Sequence, residues 1–165
     1  MQKFINEWVI PAFITFVIVT FINKLIFILV TVPTGSMETT IMPGDRLYIN
    51  RLFDMKRGDI IVFRSDELNV RLVKRLIGLP GETVNISEKG DVFINGEKLE
   101  EPYVNQVRGE PQIFEIPEGN YFFLGDNRPI SVDARYWESP YIPENKIIGK
   151  AEFRFFPFNR MGKLE

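Results

Sequence analysis

The stretch VRLVKRLIGLPG, residues 70–81, alternates like a β-strand and ends at a Pro-Gly turn. The even positions share one face of such a strand, and Lys74 is the cation among aliphatic side chains there. The odd positions include Arg71 and Arg75, which we expect to reach water on the opposite face. Burial would lower the pKa of Lys74 and make its neutral amine a general base. The alternative is that only the stem of Lys74 lies on the sheet and its ammonium group reaches solvent.

After residue 32, short β-branched and aromatic runs alternate with turn residues along the rest of the chain. They predict further strands at Arg46–Asn50, Asp59–Phe63, Thr83–Ile86, Asp91–Ile94, Asn120–Leu124 and Ile147–Phe156. The dipeptide Asn95-Gly96 predicts a two-residue β-hairpin. No run in this part has sustained helical periodicity, so we expect a mostly β domain built on an antiparallel sheet. The more polar residues 85–118 indicate a small β excursion from that sheet.

Before this domain lies WVIPAFITFVIVTFI, residues 8–22, which contains no charged residue. A membrane anchor, a cleaved signal peptide and a buried core helix all fit such a run. The anchor is favoured, because no small-x-small cleavage site ends the run and a helix apolar on every face needs a larger protein around it. We therefore expect one transmembrane helix at 8–24. Lys3 favours a cytoplasmic segment 1–7, which would place residues 25–165 outside the cell membrane.

The composition excludes several classes of protein and site. The 165 residues contain no histidine and no cysteine, which excludes a Ser-His-Asp triad, a cysteine nucleophile and a zinc site with His or Cys ligands. The net charge of -2 argues against a nucleic-acid binder that relies on a basic field. Nothing in the chain indicates a metal or an organic cofactor, so we expect neither.

A serine in the loop after the anchor is a candidate nucleophile. Ser36 follows a glycine in PTGSMETTIMPGD, residues 33–45, although this loop also fits a plain linker between anchor and domain. A serine needs a proton acceptor, and Lys74 is the lysine whose neighbours predict desolvation. The two residues therefore suggest a Ser-Lys dyad, and Ser131 could orient the amine.

A second polar segment follows the predicted strand Asn120–Leu124. The sequence GDNRPISVDAR, residues 125–135, holds two Asp and two Arg within a short distance. Such density indicates a charge-paired, hydrogen-bonded loop that fixes a site. The alternative is a solvated turn with weak surface ion pairs.

Together these segments resemble the bacterial type I signal peptidases, in their compact Gram-positive form. The resemblance is carried in family order by Pro33–Ile41, Arg57–Phe63, Val73–Gly81 and Gly125–Arg135, after an N-terminal anchor. The chain departs from the family pattern at Thr39, where a proline is usual, and at Ala134, where a serine is usual. Neither position carries the chemistry, so the departures concern efficiency and specificity.

The resemblance implies a membrane-bound serine endopeptidase that removes signal peptides from secretory precursors, with the lipid bilayer as its second partner. Ser36 would attack the scissile carbonyl and Lys74 would take its proton. The Ser36 backbone N–H and the Thr34 hydroxyl would form the oxyanion hole, and Ser131 would orient Lys74. Met37 and Ile41 would line apolar pockets for small residues at -1 and -3. Four residues would support the site without reacting: Asp126, Arg128, Asp133 and Arg135.

Two other functions stay open at this stage. The chain could be a specialised paralogue that processes a restricted set of precursors, an alternative motivated by Thr39. It could also be an inactive, membrane-tethered β module that binds partners through an exposed edge strand.

Overall fold

The computed structural model describes residues 1–105 and 110–164, without the side chains of residues 21–27. Residues 2–26 are helical in three consecutive segments: α1 (Gln2–Phe4), a π-helical segment (Ile5–Val9) and α2 (Ile10–Ile26). Within the described residues, the stretch Gln2–Thr20 has the length and composition to cross a membrane, and none of it is buried in the protein. The helix starts earlier than the predicted 8–24 because Phe4 and Ile5 extend its apolar run.

In the described part of the chain, twelve strands follow the helix. They are β1 (Phe27–Thr31), β2 (Arg46–Asn50), β3 (Ile60–Ser65), β4 (Val70–Gly78), β5 (Thr83–Ile86), β6 (Val92–Ile94), β7 (Glu97–Lys98), β8 (Gln112–Glu115), β9 (Asn120–Leu124), β10 (Tyr141–Pro143), β11 (Ile147–Phe156) and β12 (Gly162–Lys163). Two 3₁₀ turns, Glu144–Lys146 and Phe158–Arg160, complete the elements of the described residues. The predicted mostly β fold is confirmed.

Eight strands form the main antiparallel sheet. Its order is β1-β2-β11-β3-β4-β9-β10, and β12 pairs with β11. Strand β2 alternates between its two faces, because Leu47 and Ile49 are fully buried and their neighbours are not. Strand β3 is buried on both faces along most of its length, as its continuous apolar run favours.

The remaining strands form a second sheet in the order β7-β6-β5-β8. The hairpin between β6 and β7 is the one predicted from Asn95-Gly96, and both residues have positive φ, 50° and 90°. A type I′ turn requires such angles at both central positions, which Asn and Gly tolerate. This sheet spans residues 83–115; the excursion was predicted at 85–118, and its residues 106–109 lie outside the described part of the chain.

Two hydrophobic clusters hold the β domain together. The larger lies between the two sheets and is centred on β3, β4, β5 and β9, with Phe63 stacked on Phe123 at 4.4 Å between ring centroids. The smaller joins β2, β3 and β11 to the loop after β1 through Val32, Met37 and Ile41. The second cluster therefore fixes the loop that carries Ser36.

Candidate active site

Strand β4 carries two buried cations side by side. Lys74 and Arg75 are each 2 % exposed, and Lys74 lies opposite Ile61 of β3. The predicted burial of Lys74 is confirmed, whereas the expectation that Arg75 reaches water is wrong. Arg71 is exposed near the start of β4, whereas every residue from Lys74 to Gly78 is buried, where β9 pairs with the strand's edge.

Burial changes the protonation of Lys74. Desolvation of the ammonium group lowers its pKa to about 8, and the charge of Arg135 lowers it further. The carboxylates of Asp133 and Asp126 oppose this shift, but desolvation is the larger effect. A lysine with this pKa supplies a neutral amine at mildly alkaline pH, so Lys74 can act as a general base.

Ser36 lies in the loop between β1 and β2, which we call the serine loop, residues 33–45. Two backbone hydrogen bonds close its ends. The Val32 N–H donates to the Asp45 carbonyl at 2.9 Å, and the Gly44 N–H donates to the Val32 carbonyl at 2.8 Å. Gly44 has φ of 87°, which favours glycine at this turn.

Two apolar side chains anchor the serine loop in the smaller cluster. Met37 and Ile41 are 1 % and 0 % exposed. Ser36 is half-buried and Thr34 is exposed. The loop therefore has an apolar underside packed on the sheet and keeps Ser36 and Thr34 at least partly accessible.

Asp45 fixes the far end of the serine loop through ionic contacts. It is 1 % exposed and accepts hydrogen bonds from Arg154 at 3.3 Å, Arg160 at 3.1 Å and the Met42 N–H at 2.9 Å. Arg154 also donates to the Thr40 carbonyl at 2.9 Å. Strand β11 and the C-terminal 3₁₀ turn thus hold the loop in place.

Asp126 connects the serine loop to β4. The Arg75 Nε and Nη2 groups donate to the two Asp126 carboxylate oxygens at 2.8 and 2.7 Å. The Thr40 hydroxyl donates to the same carboxylate at 2.6 Å. The Tyr103 ring covers the Arg75 guanidinium, whose carbon lies 3.7 Å from the ring centroid. The bidentate geometry and the ring together fix the buried arginine.

The segment after β9, residues 125–135, is held by its own charges, as predicted from their density. Asp133 accepts from Arg135 Nε at 2.8 Å, from Arg135 Nη2 at 2.9 Å and from the Gly125 N–H at 3.0 Å. Arg135 also donates to the Arg128 carbonyl at 2.9 Å. Arg128 donates to the Gly125 carbonyl at 3.0 Å and pairs with Glu101. All four charged residues of this segment are buried, so they form part of the interior.

Ser131 and Ser36 approach each other across Gly125. A Cβ atom at Gly125 would lie 2.1 Å from the Ser131 hydroxyl oxygen and 2.5 Å from the Ser36 carbonyl oxygen, so only glycine fits there. Ser131 is 2 % exposed, and its hydroxyl has no hydrogen-bond partner among the described residues. Because buried polar groups are normally hydrogen-bonded, this hydroxyl is available to bond to another group of the site.

A cleft of about 380 Å³ adjoins Ser36. Residues 30–33, Thr34, Ser36 and Met37 form one wall, and residues 70–73 of β4 form another. Ile41 does not line this cleft; it lies in the smaller cluster beside Met37. The sequence reasoning did not assign residues 30–33 or 70–73 to a site, although their strand alternation is visible.

The cleft lies between two strand edges that have room for another strand. β1 ends the main sheet, and β9 pairs with β4 only from Arg75 to Gly78. In the described part of the chain, residues 70–74 of β4 therefore pair with β3 alone. An extended peptide can hydrogen-bond to such an edge and place alternate side chains in the cleft.

Several supporting residues were missed from the sequence. They are Asp45, Arg75, Glu101, Tyr103, Arg154 and Arg160. Each acts across a large separation in the chain, and a local pattern does not distinguish a buried arginine from one on the surface. Arg75 had one visible signal, its place next to Lys74 on a strand.

Comparisons with known proteins agree with this geometry. Residues 5–156 match the family described as "Signal peptidase, peptidase S26". The chain is 37 % identical to signal peptidase I of Bacillus licheniformis, over 96 % of this chain and 92 % of that protein. It is 34 % identical to signal peptidase IB of Staphylococcus aureus strain COL, over 96 % of this chain and 93 % of that protein.

A solved structure supports the fold. The crystal structure of a signal peptidase I from Enterococcus faecalis V583 aligns with a TM-score of 0.53 and 35 % identity, over 59 % of this chain and 97 % of that one. The match to the family extends over most of the chain, from the N-terminal helix to the end of β11. The chain therefore belongs to the signal peptidase I family (peptidase S26), the membrane-bound serine peptidases that remove signal peptides from secreted precursors.

Proposed function

We propose that Ser36 is the nucleophile of this peptidase and Lys74 its general base. The observation that carries the proposal is the buried lysine, whose pKa burial lowers to about 8 in a chain without histidine. The Ser36 carbonyl accepts a hydrogen bond from the Asn127 N–H at 3.1 Å, so the serine belongs to the same cluster as the segment 125–135. Nucleophile, base and buried polar support are then close together.

In the proposed reaction, the Ser36 hydroxyl oxygen adds to the scissile carbonyl carbon and its proton passes to the Lys74 amine. The resulting ammonium donates that proton to the leaving nitrogen, and the peptide bond breaks to give an acyl-enzyme and a free amine. Lys74 then takes a proton from water as the water attacks the ester. The Lys74 ammonium finally returns this proton to Ser36, which restores the starting state.

Two more hydroxyl groups have proposed roles. Thr34 lines the cleft and is exposed, which supports a role for its hydroxyl beside the Ser36 N–H in stabilising an oxyanion. Ser131 carries the buried hydroxyl without a described partner, and its proposed role is to hold the Lys74 amine towards Ser36. Ser131 is thus a positioning residue.

The precursor is proposed to bind as an extended strand in the cleft between β1 and β4. Met37 and the aliphatic residues of β1 and β4 form apolar walls that accept small side chains at -1 and -3 and exclude large ones. Ile41 packs beside Met37 in the core and supports that wall from within. Asp126, Arg128, Asp133 and Arg135 hold the segment that carries Ser131 without reacting themselves.

The N-terminal helix is the proposed membrane anchor, with residues 8–24 in the bilayer, residues 1–7 in the cytoplasm and the domain 25–165 on the outer side. Its exposed aromatic residues, such as Trp8, Phe13 and Phe16, support contact with lipid. Lys3 on the N-terminal side supports the orientation. Tethering in the plane of the membrane raises the effective concentration of precursors held in the same bilayer.

The test uses the full chain in neutral detergent and a precursor with Ala at -1 and -3. Ser36→Ala and Lys74→Met should each lower kcat/KM by at least about 10³-fold, because either change removes the dyad. The matched controls are the exposed Ser139→Ala and Lys89→Met, which should stay within about twofold of the original chain. Unimpaired cleavage by Ser36→Ala or Lys74→Met would refute the dyad, and an inactive original chain would favour a binding module.

A further inference from the structure

A second depression lies next to the serine loop and shares no lining residue with the cleft. Its volume is about 200 Å³, and it is lined by Glu38, Thr39, Asn105, Asp126, Asn127 and Pro129. The cleft uses the serine loop up to Met37, and the depression begins one residue later at Glu38. The cleft therefore meets the loop up to Met37, and the depression meets the stretch that follows, Glu38 and Thr39.

Hydrogen bonds connect this depression to the reacting serine. The Asn127 N–H donates to the Ser36 carbonyl at 3.1 Å, and the Asn127 side chain donates to the Gly35 carbonyl at 3.1 Å. The same amide group donates to the Glu38 carboxylate at 3.3 Å. On the opposite side, the Asn105 side chain donates to the Thr39 hydroxyl at 3.2 Å. Glu38 is thus held close to Ser36 by a shared partner.

The described residues that line the depression give it a negative charge. The Asp126 carboxylate is neutralised by its bidentate contact with Arg75. Glu38 is half-buried and bound by the neutral amide of Asn127, and none of the described lysines or arginines forms an ion pair with it. A carboxylate without a cationic partner at the wall of a concave site attracts a positive side chain and repels a negative one.

We propose that this depression is the subsite for the first residues of the mature protein, at +1 and +2, and that Glu38 makes it prefer basic over acidic side chains. The inference rests on the proposed function, because it takes Ser36 as the point of cleavage. If the residues before the scissile bond occupy the cleft, the chain after that bond must continue past Ser36. The hollow that starts at Glu38 lies on that path.

The test compares precursors that differ at one position. One series carries Lys, Gln or Glu at +1 and a second series carries them at +2, with Ala kept at -1 and -3. We expect the full chain in neutral detergent at low ionic strength to cleave the Lys precursor with about 3–10-fold higher kcat/KM than the Glu precursor in at least one series. The ratio should shrink in high salt, which screens charge.

Variants of Glu38 assign the preference to its carboxylate. Glu38→Gln should bring the Lys-to-Glu ratio close to one, and Glu38→Lys should invert it. Glu88→Gln removes an exposed carboxylate from the second sheet and should leave the ratio unchanged. Because the ratio is taken within each variant, it stays informative even if Glu38→Gln lowers the overall rate.

The outcomes separate this inference from the proposed function. Cleavage of the Gln precursors reports on the dyad, and the ratio of Lys to Glu precursors reports on the subsite. A ratio near one for the original chain in both series overturns the inference while leaving the dyad intact, and so does a ratio that survives in Glu38→Gln. If the original chain cleaves none of the precursors, both the proposed function and this inference are refuted.

Discussion

Lys74 and Arg75 are adjacent and equally buried, but their charged groups have different surroundings. The charge of Arg75 is balanced by the Asp126 carboxylate, which accepts two of its N–H groups. Lys74 meets the carboxylates of Asp126 and Asp133 only through their field, and desolvation outweighs that field. Arg75 therefore stabilises the structure, whereas Lys74 loses its proton more readily than a free lysine does.

The pH dependence of cleavage should follow Lys74. The neutral amine is the active form, so kcat/KM should rise with pH through an apparent pKa of about 8 and level off above it. The measurement is kcat/KM between pH 6 and 10 with a precursor that has no titrating group near the cleavage site. A rise centred near 10.4, the value of a free lysine, would mean that Lys74 is solvated in the working enzyme.

At the scale of elements, the site is assembled where β4, the serine loop and the segment after β9 meet. The Arg75–Asp126 pair joins all three, because Asp126 also accepts the Thr40 hydroxyl. Both side chains of the pair are at most 2 % exposed. Breaking a buried pair by removing one partner leaves an uncompensated charge, which is far costlier than losing a surface contact.

Arg75→Met should therefore lower the free energy of unfolding by about 3–5 kcal/mol and lower kcat, because Asp126 is left charged and the serine loop loses an anchor. Arg75→Met with Asp126→Asn should recover part of that stability. The matched control is Arg64→Met, at an ion pair whose side chains are 58 % and 61 % exposed, where the change should stay within about 0.5 kcal/mol. Denaturant unfolding in detergent measures all three, and equal losses at Arg75 and Arg64 would contradict the role of the buried pair.

At the scale of the whole molecule, a helix that is exposed over residues 2–20 precedes a β domain with its own two clusters. The helix leads into β1 without an intervening loop, and β1 lines the cleft. The anchor therefore fixes how far the cleft lies from the membrane. This arrangement suits a substrate that is itself held in the bilayer.

The proposed orientation predicts which parts of the chain an external protease reaches. In protoplasts, which lack the cell wall but keep an intact plasma membrane, protease added outside should degrade the β domain. A tag placed before Met1 should stay protected. After detergent opens the membrane, the tag should be lost as well, which shows that the protease can cut it. Loss of the tag before the membrane is opened would reverse the orientation.

Comparison of predicted and observed strands shows which elements can be predicted from the sequence. The bounds predicted for β2, β5, β9 and β11 coincide with the structure. The short strands β8, β10 and β12 were not predicted, because two to four residues carry little periodic signal and β12 forms only by pairing with β11. The site residues remain predictions about chemistry, although the structure brings Ser36, Ser131 and the segment around Lys74 into one cluster.

The amino-acid sequence alone predicts the apolar helix, the β class of the domain and the exclusion of histidine and cysteine chemistry. These properties follow from local periodicity and composition, which do not depend on contacts between distant residues. The burial of Arg75, the approach of two serines at Gly125 and the neutral amide partner of Glu38 are seen only in the folded domain. Burial and charge pairing depend on groups far apart in the chain, so they exist only once the sheets have packed.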